Sequence, residues 1–187
     1  PSQIQGRLNL GLAYYRKNMY DDAIKIYTEL IHMDSLEPTA YFQRALAYHY
    51  GNPPQPELAL ADYSKAIQLN PANAMAYLNR GSLYVDQFNK YDLAIADFNK
   101  TLELDPANTD AIVNKGIAYY RKEDFDEALR LYNSVPGNLN DRGKIFYLKA
   151  LSYAGKNEYT NALQNAETAQ KMGLTIDPAI LQQWKSK

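Results

Sequence analysis

The sequence predicts an all-α solenoid, five helix-turn-helix units stacked in chain order and closed by a short C-terminal helix. Three observations carry this expectation. A small residue recurs at Gly11, Ala45, Gly81, Gly116 and Ala150, at intervals of 34, 36, 35 and 34 residues, a period that belongs to helical repeat arrays. Three positions after each stands a tyrosine (Tyr14, Tyr48, Tyr84, Tyr119, Tyr153), and twelve to fourteen positions after it an alanine (Ala23, Ala59, Ala94, Ala128, Ala162). Within each period, apolar residues fall at i, i+3, i+4 and i+7 in two stretches separated by a short break. The expected organisation is one domain over 1–187, with repeats at about 4–37, 38–73, 74–108, 109–138 and 143–175 and a closing helix at about 177–185.

In unit one the pattern predicts helices over Leu8 to Lys17 and Tyr20 to Met33. The first helices of units two to five carry Tyr41, Tyr77, Ile112 and Phe146 four residues before the small one, one turn away on the same face; unit one has Arg7 there. The second helices pair small with large at i, i+4: Ala23 with Tyr27, Ala59 with Tyr63, Ala94 with Phe98, Ala128 with Tyr132, and Ala162 with Ala166. Such ridges interlock with a facing helix. Asn70-Pro71 and Asp105-Pro106 end the second helices of units two and three, because proline pushes its predecessor out of the helical region. Unit two carries an insertion, Gly51-Asn52-Pro53-Pro54-Gln55-Pro56, read as a stiffened turn with Pro56 opening the next helix. A stiff polyproline segment of this kind is also able to dock an aromatic groove. Unit four runs into Val135-Pro136-Gly137-Asn138 and a polar stretch to Asp141, which predicts a shortened helix and a longer connection. Gly173 reads as a helix C-cap, and Asp177-Pro178 as the cap and first turn of a closing helix over Ala179 to Trp184.

Composition narrows the function classes. A formal net charge of -1 argues against a nucleic-acid binder, which normally concentrates basic charge on one face. The absence of cysteine excludes a disulfide framework or thiolate metal site. No stretch approaches the roughly 18 consecutive apolar residues of a membrane span, so no direct membrane insertion is expected. The first residue is Pro1 rather than methionine, which suggests a trimmed or excised piece, and localisation stays open between the cytoplasm and an exported form whose signal was removed. His32 and His49 show no ligand spacing, His49 reads as a solvated residue, and there is no phosphate loop or nucleophile elbow. The expectation is no catalytic residue, no metal, no cofactor and no enzyme activity.

The pattern aromatic-x2-[Leu/Arg/Lys]-[Gly/Ala]-x2-Tyr-x8-Ala-x3-[Phe/Tyr]-x2-Ala-x4-Pro resembles the tetratricopeptide repeat, and Ala76 to Pro106 is similar to a near-complete copy of it. The likeness covers nearly the whole chain. It implies a right-handed superhelix in which the first helices line a concave groove. Groove-facing positions would be two and three before the small residue and one, four and five after it. Two before stand Asn9, Gln43, Asn79 and Asn114, with Leu148 in unit five; the four carboxamides offer donors and acceptors to a peptide backbone. Three before stand Leu8, Phe42, Leu78, Val113 and Tyr147, and one after stand Leu12, Leu46, Ser82, Ile117 and Leu151. Nine of these ten are apolar, divided between partner contact and packing against the next helix.

Immediately before the small residue stands a basic column, Arg44, Arg80, Lys115 and Lys149, expected to lay its stems on neighbouring helices and to pair with Asp62, Asp97 or nearby carboxylates. Some members of the family hold a chaperone's C-terminal carboxylate with lysine three before and asparagine one after the small residue. Leu8 and Leu12, Phe42 and Leu46, and Leu78 and Ser82 stand there instead, so that activity is not expected. The expected function is a protein-interaction scaffold holding an extended or helical segment of another protein or peptide. The alternative is a self-assembling homo-oligomer joined through the groove or the solenoid ends. RNA reading by helical repeats of similar length is disfavoured by the charge.

Overall fold

In a computed structural model, residues 2–136 and 142–187 are described. They contain eleven α-helices and no strand: α1 (Ser2–Arg16), α2 (Tyr20–Met33), α3 (Pro38–Tyr50), α4 (Pro56–Leu69), α5 (Ala74–Asp86), α6 (Tyr91–Leu104), α7 (Thr109–Arg121), α8 (Phe125–Ser134), α9 (Arg142–Gly155), α10 (Tyr159–Lys171) and α11 (Pro178–Lys185). The chain forms two compact units, one of Pro1–Lys90 with Glu103–Pro106, the other of Tyr91–Leu102 with Ala107–Lys187. Among the described residues no helix is long and apolar enough to cross a membrane.

The repeat tyrosine has a backbone task that accounts for its fixed place. Its carbonyl closes the turn after each first helix, accepting from Met19 N (Tyr14, 3.0 Å), Gln55 N (Tyr48, 2.8 Å), Lys90 N (Tyr84, 2.9 Å), Asp124 N (Tyr119, 3.0 Å) and Glu158 N (Tyr153, 2.9 Å). Four of these turns place Asn18, Asn89, Glu123 and Asn157 at positive φ, 52° to 63°, a conformation that asparagine tolerates well. Four residues after the closing N–H comes the repeat alanine, whose own N–H returns to that residue in Ala23, Ala59, Ala128 and Ala162 at 3.0 to 3.1 Å. The variable spacing from small residue to alanine is therefore absorbed between the tyrosine and the closing residue. In unit two Gly51 is buried and the inserted Asn52, Pro53 and Pro54 are exposed, while Gln55 N still reaches Tyr48 O, and α4 opens at Pro56 as expected.

Within the first unit, α1 packs on α2, α2 on α3, α3 on α4 and α4 on α5. The small residue of α1 faces the large residue of α2: a Cβ on Gly11 would lie 2.5 Å from Tyr27 Cε1, and Tyr27 is fully buried. Ala45, Ala59 and Tyr63 repeat the arrangement between α3 and α4 with Leu83 of α5. Helix α1 starts six residues earlier than the pattern predicts, because Ile4 adds to the cluster of Leu30, Ile31 and Ala40. Helix α4 ends at Leu69 and α6 at Leu104, one residue before the Asn-Pro and Asp-Pro pairs.

In the second unit Gly116 lies against Tyr132, where a Cβ would be 2.4 Å from Cε1. In α9 and α10 the large member is replaced by Ala166, and Ala150, Ala162, Ala166 and Ala169 form a buried seam of alanines. Helix α8 is short at 10 residues, ending before Val135-Pro136. The longer connection expected after it lies outside the described residues. Gly173 takes φ +90°, with its N–H on Gln170 O at 2.9 Å, and so ends α10 as expected. Asp177 caps α11 by accepting from Ala179 N at 2.9 Å. Helix α11 then lays Trp184, 7% exposed, over the alanine seam with Ile176, covering the apolar edge of the last hairpin.

Candidate interaction site

Carboxamides occupy corresponding positions of α1, α3 and α5 in the first unit, and each keeps hydrogen-bonding capacity in reserve. Asn9 Oδ1 accepts from Gln5 Nε2 at 3.0 Å, leaving its amino group unused. Asn79 Nδ2 donates to Met75 O at 2.7 Å, leaving its oxygen unused. Gln43 Oε1 is closed off from solvent and has no partner among the described residues. A buried acceptor without a donor costs about 1 to 3 kcal/mol, so Gln43 is relieved of that cost if its amide turns outward to meet an incoming N–H. Asn114 holds the same position in α7 of the second unit, half-buried, and Leu148 in α9 is half-buried as well.

The apolar columns divide by burial. Leu78 and Val113 are 6% and 7% exposed, and Val113 packs with Ala128, Tyr132 and Ile145. Leu8, Phe42, Leu46, Ile117, Tyr147 and Leu151 are half-buried, each against a core cluster of its own unit. Leu12 is half-buried and, with Asn9, Ala13, Arg16 and Lys17, borders an open depression on α1. Ser82 turns its hydroxyl back to Leu78 O at 3.1 Å. Most of this surface is packing, with edges left to solvent, because a side chain flanking the small residue lies over the neighbouring helix that the small residue admits.

The basic column splits in its bonding. Arg44 grips Asp62 with two bonds, Nε to Oδ2 at 2.7 Å and Nη2 to Oδ1 at 2.9 Å, and reaches Thr28 Oγ1 with Nη1 at 3.0 Å. Burial is the largest single influence and opposes its charge, but the bond to Asp62 and the charge of that carboxylate, with Tyr48 and Tyr41, together hold the guanidinium above its ordinary value. Arg80 donates to Ser64 Oγ at 3.1 Å and lies over the Tyr77 and Tyr84 rings. Lys115 and Lys149 depart from the expected pairing. Neither forms an ion pair among the described residues; Lys115 sits 6.0 Å from the Tyr119 centroid and Lys149 5.1 Å from that of Phe146. Burial lowers both amines, and Arg142 adds to the effect at Lys149.

His49 is not the solvated residue the sequence suggested. Its Nδ1 lies 3.2 Å from the hydroxyl of Tyr63, and burial lowers its basicity against an opposing pull from Asp86. Tyr63 supplies the partner from α4, fourteen residues downstream, which a reading along α3 alone does not reveal. No group of three or more His, Cys, Asp or Glu residues able to hold a metal occurs among the described residues.

Three family profiles match the sequence: a tetratricopeptide repeat at residues 8–52, a TPR repeat at 55–87 and a tetratricopeptide repeat at 87–151. No curated protein matches it in sequence. Among solved structures it is similar to MamA (residues 41 to the end) from Desulfovibrio magneticus RS-1, with a TM-score of 0.83 at 16% identity, covering 92% of this chain and 96% of that one. PilW, described as a widely conserved type IV pilus biogenesis factor, gives 0.80 at 20% identity, covering 95% and 80%. PilF of Pseudomonas aeruginosa gives 0.77 at 18% identity, covering 92% and 78%. At these identities the likeness is one of fold. Repeats of the matched kind form protein-interaction scaffolds, and the chain belongs to the tetratricopeptide repeat family.

Proposed function

We propose that the chain holds an extended segment of a partner protein along the first helices of its hairpins, with carboxamides bonding the partner's backbone. The observation that carries this reading is the set Asn9, Gln43 and Asn79, at one register position of three helices in one compact unit and each with unused hydrogen-bonding capacity. Adjacent packed helices stand roughly 8 to 10 Å apart and an extended peptide advances about 3.3 Å per residue, so the three amides would meet about every third residue. The half-buried edges of Leu12, Phe42 and Leu46 add apolar contact beside them. Asn114 in the second unit has the chemistry to extend the same mode of contact.

The test is binding of a library of blocked, degenerate extended peptides to the protein and to a Gln43→Ala, Asn79→Ala double variant. Each backbone bond contributes about 1 kcal/mol, so the double variant should bind the selected peptides at least about tenfold more weakly with its helix content intact. Equal binding rejects the carboxamides as the contact.

A further inference from the structure

The C-terminal ends of α1, α3 and α5 carry groups that the carboxamides do not engage. Tyr50, the last residue of α3, is 50% exposed. It lies flat on His49, with ring centroids 4.5 Å apart and planes within 11°. His49 is fixed in turn by Tyr63, bonded to its hydroxyl at 3.2 Å and standing edge-on at 6.1 Å. The Tyr50 ring thus rests on a neighbour that is itself fixed, and half of its surface stays exposed. Asp86, the last residue of α5, is exposed and forms no hydrogen bond or ion pair among the described residues. Asp86 stands five residues after Gly81 as Tyr50 stands five after Ala45, and Leu83 of the same helix belongs to the Ala45 cluster, which sets the carboxylate at the register of the Tyr50 ring. Its charge opposes ionisation of Tyr50 and favours a protonated His49. Tyr15 of α1 is near enough to Tyr50 that ionisation of either phenol opposes that of the other, and it is braced edge-on by Tyr20 at 5.5 Å.

The ring face carries the negative lobe of its quadrupole, and the carboxylate adds a full negative charge, so both favour a cation. Elsewhere the chain supplies such cations itself: Arg44 lies over Tyr41 and Tyr48, and Lys149 over Phe146. Here it does not. Arg16, at the corresponding end of α1, stacks on no ring and pairs with no carboxylate among the described residues. We propose that Tyr50 and Asp86 form a recognition site for one lysine or arginine side chain of the bound segment, its cation resting on the ring and its charge facing the carboxylate. This specificity rests on the partner-binding reading above.

The peptide library tests it with one position varied among lysine, arginine, glutamate and norleucine. An exposed cation–ring contact and an exposed ion pair together should favour lysine or arginine over norleucine by about threefold to tenfold. Asp86→Asn and Tyr50→Ala should each reduce that preference, and Asp86→Lys should transfer it to glutamate; Tyr50→Leu keeps the apolar area and should lose the preference for charge alone. Circular dichroism confirms that these surface variants stay folded. Peptides that bind through Gln43 and Asn79 but show no basic preference, or keep it in Asp86→Asn, overturn the site and leave the scaffold reading standing. Absence of binding by any peptide overturns both.

Discussion

His49 Nδ1 and the hydroxyl of Tyr63 lie 3.2 Å apart, which gives one of three homologous tyrosines a partner that the other two lack. Tyr27 and Tyr132 occupy the same repeat position, and their hydroxyls are buried with no partner among the described residues. Burial raises all three phenols, Tyr27 to about 12. Removing a satisfied hydroxyl loses a bond, whereas removing an unsatisfied one relieves a desolvation cost. Tyr63→Phe should therefore destabilise by about 1 kcal/mol, while Tyr27→Phe and Tyr132→Phe should be neutral or stabilising in urea unfolding.

The same histidine gives stability a slope with pH. Its folded pKa is lowered by burial below the unfolded value of 6.5. Below that value the unfolded chain takes up a proton that the fold excludes, so stability falls as pH drops through 6.5 and towards the folded value. His49→Gln should flatten the urea midpoint between pH 7 and 5.5. Glu127 and Glu158, held low by hydrogen bonds from Arg130 and Lys156, lose their contribution only below about pH 4.5.

Glycine substitutions should divide by the space around them. Gly116→Ala drives a methyl to 2.4 Å from the Tyr132 ring, and Gly11→Ala to 2.5 Å from Tyr27. Overpacking of this kind costs about 1 to 3 kcal/mol. Gly6, in α1 with nothing within 4 Å of an added Cβ, should instead gain about 0.5 to 1 kcal/mol on changing to alanine. Thermal unfolding of the three variants should order them accordingly.

Asp62 and Arg44 are 9% and 16% exposed in their side chains, so neither charge is easily rehydrated when the other is lost. Arg44→Met or Asp62→Leu alone should cost about 3 kcal/mol in chemical unfolding, and Arg44→Lys a smaller amount through loss of the two-point grip. The double change Arg44→Met, Asp62→Leu should recover most of the loss. A double-mutant cycle measures the coupling.

Helix α11 is short, and its hold depends on Trp184 and the Asp177 cap. Asp177→Ala should weaken it by about 1 kcal/mol. The chain has a single tryptophan, so its fluorescence reports this helix directly. In the variant the fluorescence transition should precede the loss of far-ultraviolet helical signal in urea. Coincident transitions would show that α11 unfolds only with the rest.

The spacing of small residue, tyrosine and alanine made the helical hairpins legible, because each member performs a task set by backbone geometry. Gly11 and Gly116 admit a ring, the Tyr48 carbonyl closes a turn across an insertion, and Ala59 returns to the residue that closes it. Proline pairs and Gly173 marked helix ends for equally local reasons. The early start of α1 was not legible, since Ile4 is held by residues of α2 and α3 rather than by its own neighbours.

Of the candidate surface, the sequence alone determined which residue types stand at each register position: the carboxamides, the basic column and the apolar columns. Tertiary packing decided what each does there. Burial turned Leu78 and Val113 into packing residues, bonded Arg44 to Asp62 while leaving Lys115 and Lys149 over rings, and drew His49 onto Tyr63. Register is a local property of one helix, repeating every few residues along it. Burial, pairing and exposure depend on side chains arriving from other helices, whose approach no single period encodes.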